Sequence, residues 1–256
     1  MQLSTPALVL REQPVGESGK ILTLLTREEG ILRAFAHGAR KPGGALTAPC
    51  SLFAYSQFQL KSNKDAWNVA SAEVLKLFRG LHTDVDKLAL VSYFTEVAGY
   101  LVSPDETAAQ YLRLMLNCIA FLCEGRRDPA LIKAVYELKA MELAGYMPDI
   151  VGCHDCLTYT APAMFYLPQS GSLCCGDCIA NHPEAVRIPL TPGALTAIRH
   201  IVLTEFDRIF AFAVSAESVH ILSRVAELYL LHRIALPLPT LQFYHSLVPE
   251  ETPGLA

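Results

Sequence analysis

Two short cysteine pairs are the residues of this chain best suited to chemistry. Cys153-His154-Asp155-Cys156 and Cys175-Gly176-Asp177-Cys178 each place two thiols three positions apart, and eighteen residues separate the pairs. Zinc takes four ligands in a tetrahedron with sulfur at about 2.3 Å, and a Cys-x-x-Cys turn presents two sulfurs to one point. The spacing therefore predicts one structural zinc ion per chain, held by Cys153, Cys156, Cys175 and Cys178. Four thiolates leave no open position at which water could be activated, so such a site contributes folding energy rather than turnover. Cys174 competes with Cys175 as first ligand of the second pair; the two-residue gap to Cys178 favours Cys175, and His154 and His182 are substitute ligands. A thioredoxin-like redox pair, or unconnected buried thiols, would not account for two matched pairs. Cys50, Cys118 and Cys123 read as ordinary core or surface thiols.

Catalytic patterns are absent. The sequence holds no Walker A run, no Gly-x-Gly-x-x-Gly, no Gly-x-Ser-x-Gly and no His-Glu-x-x-His. A zinc deaminase would need His-x-Glu ahead of Pro-Cys-x-x-Cys, and Leu173-Cys174-Cys175 stands there instead. The chain is read as a non-enzyme.

A binder of nucleic acid needs a cationic track for phosphates and aromatic faces for bases. The run from Arg33 through Phe35, His37 and Gly38 to Arg40 and Lys41 has that character, and Lys20, Arg27, Arg33, Arg40, Lys41, Lys61 and Lys64 are the candidate DNA contacts. Phe35, Tyr55, Phe58 and Trp67 are candidate stacking residues, although aromatics at strand spacing are ordinarily core. The net charge of -4 denies the molecule a bulk basic field, so any such contact must rest on a local patch. A second class of function is a zinc-stabilised adaptor that captures an acidic C-terminal tail, with Arg126, Arg127, Lys133 and Lys139 as candidate partner-binding residues.

These residues must be held by a fold. With 52% hydrophobic and 18% charged residues in 256, the chain can bury a sizeable core in two domains. Five β-rich runs, Ala7–Glu12, Lys20–Thr26, Ile31–His37, Leu52–Lys61 and Trp67–Glu73, are divided by turn-forming stretches. Five short strands close most economically into an OB-like or SH3-like barrel, which removes exposed edges. Past Leu81 the apolar period lengthens to that of helices, predicted at Val85–Val102, Glu106–Glu124, Asp128–Ala144, Ala194–Phe206 and Ala216–Ile234. Ser103-Pro104-Asp105, Asp128-Pro129 and Thr191-Pro192 serve as N-terminal caps, and Gly145 is a stop. The fold class is therefore α+β: a barrel domain over 1–80 and a helical domain over 81–256 that carries a zinc-binding insertion at 147–187. The tail after Ser246 is expected to fray.

Apolar runs are interrupted by Glu96, His232 and Arg233 before reaching the roughly 20 residues of a membrane span. Met1–Arg11 has no basic segment leading an apolar one, which predicts a cytoplasmic protein whose thiols stay reduced.

The order of these parts resembles the RecO family of DNA repair and recombination mediators. Three stretches carry the resemblance: Gly16–Gly30 followed by His37-Gly38-Ala39-Arg40; Tyr136-Glu137-Leu138-Lys139 with Leu143–Pro148; and Phe165-Tyr166-Leu167 with Ser170-Gly171-Ser172. Among the two barrel types the resemblance implies an OB-fold. It also implies a protein associated with the nucleoid that binds single- and double-stranded DNA, anneals complementary strands, works with RecR, meets the C-terminal tail of single-stranded DNA-binding protein, and helps load RecA recombinase. Lys41-Pro42-Gly43-Gly44 departs from the Lys-Ser that the family usually shows after its Gly-Ala-Arg turn.

Overall fold

The alternation of apolar and polar residues along the first strands is what closes them on one another. In β2 (Gly19–Thr26) Leu22 and Leu24 are buried while Ile21 and Thr23 are partly exposed; in β3 (Ile31–Ala36) Leu32, Ala34 and Ala36 point inward. With β1 (Gln2–Val15), β4 (Tyr55–Asn63) and β5 (Ala66–Lys76) they form a closed barrel in the order β1-β2-β3-β5-β4, the β3–β5 pair parallel and the rest antiparallel. This is the OB-fold. The computed structural model describes residues 1–63, 66–103, 108–183 and 186–248. Lys64, the Pro104-Asp105 cap, the opening of the second predicted helix and the chain end lie outside them.

All five strands were legible, but β1 extends from Gln2 to Val15, well beyond Ala7–Glu12. Its reach is explained by pairing on both edges, with β4 through Gln2–Leu8 and with β2 through Ala7–Val15. The barrel interior holds Ala7, Val9, Leu22, Leu24, Leu32, Phe58 and Leu60. Phe58 is thus core, Trp67 packs partly against that core, and Phe35 stands on the outer face.

The chain divides into two compact units, Met1–Glu124 with Leu238–Ala256, and Gly125–Pro237. In the first, α1 (Val85–Leu101), α2 (Ala109–Glu124) and α6 (Pro239–Leu247) accompany the barrel. Leu8, Leu10 and Leu25 face away from the barrel interior and yet are buried, so the helices give the outer wall a second apolar layer. Asp84 caps α1 by accepting from the N–H groups of Asp86 and Lys87. Sequence reasoning ended the last helix at Ile234 and missed α6. Only nine residues long, α6 is too short to declare a period, but it packs on α1 and buries Leu241 and Tyr244.

In the second unit α3 (Pro129–Leu143) packs on α5 (Ala216–Ile234), with α4 (Pro192–Leu203) against both. Asp128, Thr191 and Ser215 cap the three helices through their side-chain oxygens. The cysteine segment is more than a loop: β6 (Asp149–Cys153), β7 (Met164–Leu167), β8 (Ser172–Cys175) and β9 (Ile188–Leu190) form a four-stranded sheet in the order β6-β8-β7-β9. Gly171, at φ +75, makes the β7–β8 turn; a Cβ there would lie 2.6 Å from the Tyr229 ring. No helix among the described residues is long and apolar enough to cross a membrane.

Candidate metal centre and nucleic-acid interface

Parallel pairing of β6 with β8 sets Cys153 opposite Leu173, which brings the end of the first Cys-x-x-Cys beside the start of the second. The sulfurs of Cys153, Cys156, Cys175 and Cys178 all lie within 4.8 Å of one another. Four sulfurs about 2.3 Å from a central ion would stand about 3.8 Å apart along each tetrahedral edge, and Cys156 and Cys175 are 3.7 Å apart. The donor set and spacing fit a single metal ion. The turn geometry is dictated locally: Leu157 adopts a left-handed φ of 62° so that its N–H can return to the Cys153 carbonyl, and a Cβ at Gly152 would lie 2.8 Å from the Leu157 oxygen. Burial raises the Cys153 thiol, yet N–H groups of Cys156, Cys175 and Asp155 outweigh it and lower the thiol to about 6, which favours thiolate.

The structure sorts the competing ligands. Cys175 joins the tetrad, while Cys174 lies toward Asp155 and His182. His154 Nδ1 is 3.0 Å from Asp149, and His182 Nε2 is 3.0 Å from Asp155, so both imidazoles orient carboxylates beside the thiols. A residue that sequence reasoning missed holds the first knuckle to the helices. Arg199 of α4, largely buried, donates Nε to the Ile150 carbonyl and its Nη2 to the carbonyls of Val151 and Tyr159, while its guanidinium stacks 3.9 Å from the Tyr159 ring centre. Helical periodicity marks Arg199 only as one more polar residue; its three carbonyls are brought to it by the fold.

The basic candidates separate according to strand parity. Lys20 shares the inward face of β2 with Leu22 and Leu24; it pairs with Glu12 at 2.7 Å, donates to the Cys50 carbonyl and is 13% exposed. It neutralises a half-buried carboxylate at one end of the barrel and does not face solvent as a phosphate contact would. Arg27 is exposed but stands beside Glu28. Arg33, Arg40, Lys41 and Lys61 are exposed, Arg40 reaching the Gly16 carbonyl at 3.4 Å.

Register then assembles a surface. Arg11 pairs with Thr23 and Thr23 with Arg33, giving a rank of two cations flanking a hydroxyl across three strands. The next outward rank runs Gln13–Ile21–Phe35–Asn68–Lys61, with His37 packed 4.2 Å from the Phe35 ring. Arg11 was missed because strict alternation from Ala7 and Val9 would turn it inward. The register shifts between Val9 and Arg11, and this β-bulge moves Arg11 to the outside.

The partner-binding candidates fare less well. Lys133 is 2% exposed and bridges Glu137 at 2.8 Å and Glu227 at 2.6 Å; Lys139 is also buried and pairs with Glu142. A groove rim would leave both in solvent, and both are instead buried, because α3 is packed around most of its circumference. Arg127 donates to the Phe212 carbonyl, and Arg126 is exposed.

Comparison with known proteins agrees with this architecture. Residues 1–78 match the family model for the N-terminal part of recombination protein O, and residues 82–242 match that for its C-terminal part. The DNA repair protein RecO of Acetivibrio thermocellus is 28% identical over 96% of this chain and 97% of the relative. The RecO of Heliobacterium modesticaldum is 35% identical over 77% of this chain and 72% of its own length, and that of Halalkalibacterium halodurans 30% identical over 71% and 70%. An OB barrel joined to a helical body with a four-cysteine cluster, matched by both family models along nearly its whole length, places this chain in the RecO family of DNA repair proteins.

Proposed function

We propose that this protein is a cytoplasmic, non-enzymatic recombination mediator that binds single- and double-stranded DNA on the outer face of β1, β2 and β3, anneals complementary strands, and helps RecR load RecA. The observation that carries the DNA contact is the Arg11–Thr23–Arg33 rank beside Phe35, since neither arginine has an ion-pair partner among the described residues. Unpaired guanidinium groups on a rigid sheet are free to exchange counterions for phosphates. The acidic total charge then sets a limit: binding is local and falls steeply with salt. We further propose that the four thiolates hold one zinc ion in a structural role. An acidic tail, such as that of single-stranded DNA-binding protein, would meet Arg126 rather than Lys133 or Lys139.

The test is a salt titration of oligonucleotide binding. Replacing Arg33, Arg40 and Lys41 together with alanine should weaken single-strand binding and flatten its log-log salt slope by about 0.7 for each phosphate that is no longer neutralised. Affinity and slope equal to those of the parent would reject the barrel face as the DNA-binding surface.

A further inference from the structure

The rank that begins at Arg11 does not end on open barrel wall. Beside it lies a cleft of about 280 Å³ lined by Leu10, Arg11, Thr23, Ile31, Thr95, Glu96, Gly99 and Tyr100, between the strands and α1. That volume lies near the small end of ligand-sized cavities and suits one flat group with a short polar arm. Its chemistry is specific. Arg11 is an exposed cation with no ion pair among the described residues, at one wall. Tyr100 is 46% exposed and has no ring partner among the described residues, at the other. The one carboxylate in the lining, Glu96, is turned toward α6, where it accepts hydrogen bonds from the backbone N–H and the hydroxyl of Thr240.

Gly99 adds an independent observation. It sits inside α1, where glycine costs a helix roughly 1 kcal/mol relative to alanine, and a Cβ there would meet nothing within 4 Å. Its φ is not in the left-handed region either. Neither packing nor backbone conformation explains the residue, whereas clearance for an occupant of the cleft does.

We infer that this cleft captures one nucleotide of single-stranded DNA, its base stacked on Tyr100 and its phosphate on Arg11, as the strand leaves the Arg11–Thr23–Arg33 rank. The inference rests on the barrel-face reading and deepens it. A duplex keeps its bases stacked inside and cannot offer one to a narrow cleft, so the cleft separates single strands from double ones. An acidic peptide would share the arginine but has no flat ring of its own to require Tyr100, unless it ends in an aromatic residue.

Fluorescence anisotropy with a single-stranded oligonucleotide and its duplex tests this on the whole protein. Tyr100→Ala should bind the single strand roughly tenfold more weakly and the duplex as tightly as the parent, while Tyr100→Phe should behave as the parent. Gly99→Leu fills the cleft while improving the helix, so it should lose single-strand affinity with an undiminished melting temperature, which separates blockage from misfolding. A 2-aminopurine base in the strand should be quenched by the parent and not by Tyr100→Ala. Parent-like single-strand binding by both Tyr100→Ala and Gly99→Leu overturns the inference. If the Arg33, Arg40 and Lys41 triple variant nevertheless loses binding, the barrel face stands without the cleft. Loss in the Tyr100 and Gly99 variants beside a parent-like triple variant keeps the cleft and removes Arg33, Arg40 and Lys41 from the contact. Unchanged oligonucleotide binding in Tyr100→Ala, with weakened binding of a fluorescent Asp-rich peptide ending in Phe, assigns the cleft to a peptide and also overturns the inference.

Discussion

The sulfurs of Cys156 and Cys175, nineteen residues apart in the chain, stand 3.7 Å from each other across the two turns that end β6 and β8. That separation matches the edge expected of a tetrahedron built on zinc–thiolate bonds, so the proposed structural zinc would tie the two turns together. Freshly purified protein should carry about one zinc per chain, read by elemental analysis. Cys153→Ser or Cys178→Ser should lower that content and the melting temperature together, and a strong chelator should do the same to the parent. Metal-free protein that melts as the loaded protein does would remove the structural role.

Arg199 makes a separable prediction. Its guanidinium satisfies the carbonyls of Ile150, Val151 and Tyr159, of which Ile150 is the fully buried partner, and a hydrogen bond to a charged group is worth about 1.5–3 kcal/mol. Arg199→Ala should destabilise the protein by about that much or more and speed zinc loss to a chromogenic chelator. Arg199→Lys should not restore it, because an ammonium lacks the planar fork that reaches three carbonyls.

Lys133 should prove a folding residue. Burial lowers its pKa, but Glu137 and Glu227 outweigh that and raise it above the ordinary lysine value, so it stays charged. Removing one member of a buried ionic group costs about 3–5 kcal/mol, since the others keep an uncompensated charge. Lys133→Ala should therefore lower the denaturation midpoint strongly, whereas exposed Arg126→Ala should leave it nearly unchanged. The reverse order would contradict the α3–α5 network.

Cys50 supplies a pH dependence. Burial pushes its thiol up to about 12, with Lys20 opposing and Glu12 assisting. The folded state keeps a proton that the unfolded chain releases at about pH 8.5. Stability from this group is therefore complete below about pH 8.5 and declines as pH rises toward 12. Urea titrations from pH 8 to 10 should fall less steeply in Cys50→Ala than in the parent, and iodoacetamide should label Cys50 only after unfolding.

Local patterns in the chain carried much of this molecule. Alternation at Leu22, Thr23 and Leu24 is the signature of a strand with one wet face, and it marks a barrel before any tertiary structure is known. Cys153-x-x-Cys156 and Cys175-x-x-Cys178 announce their four-sulfur cluster because two turns of fixed length can each aim a pair of sulfurs without help from distant residues. Asp128 and Thr191 stand at helix starts for the same local reason.

What stayed hidden depends on which partner a residue meets across the fold. Parity places Arg11 inside the barrel until a bulge one residue earlier turns it out beside Thr23 and Arg33. Lys20 and Lys133 look like ordinary surface cations until Glu12, Glu137 and Glu227 close on them. A charged side chain carries no record of whether it will end in water or against an opposite charge, because that choice is made by strands and helices far away in sequence. The exposed Arg11–Thr23–Arg33 rank and the Arg11–Tyr100 cleft are therefore products of register and packing, while the barrel strands, the longer helices and the cysteine tetrad follow from short-range chemistry.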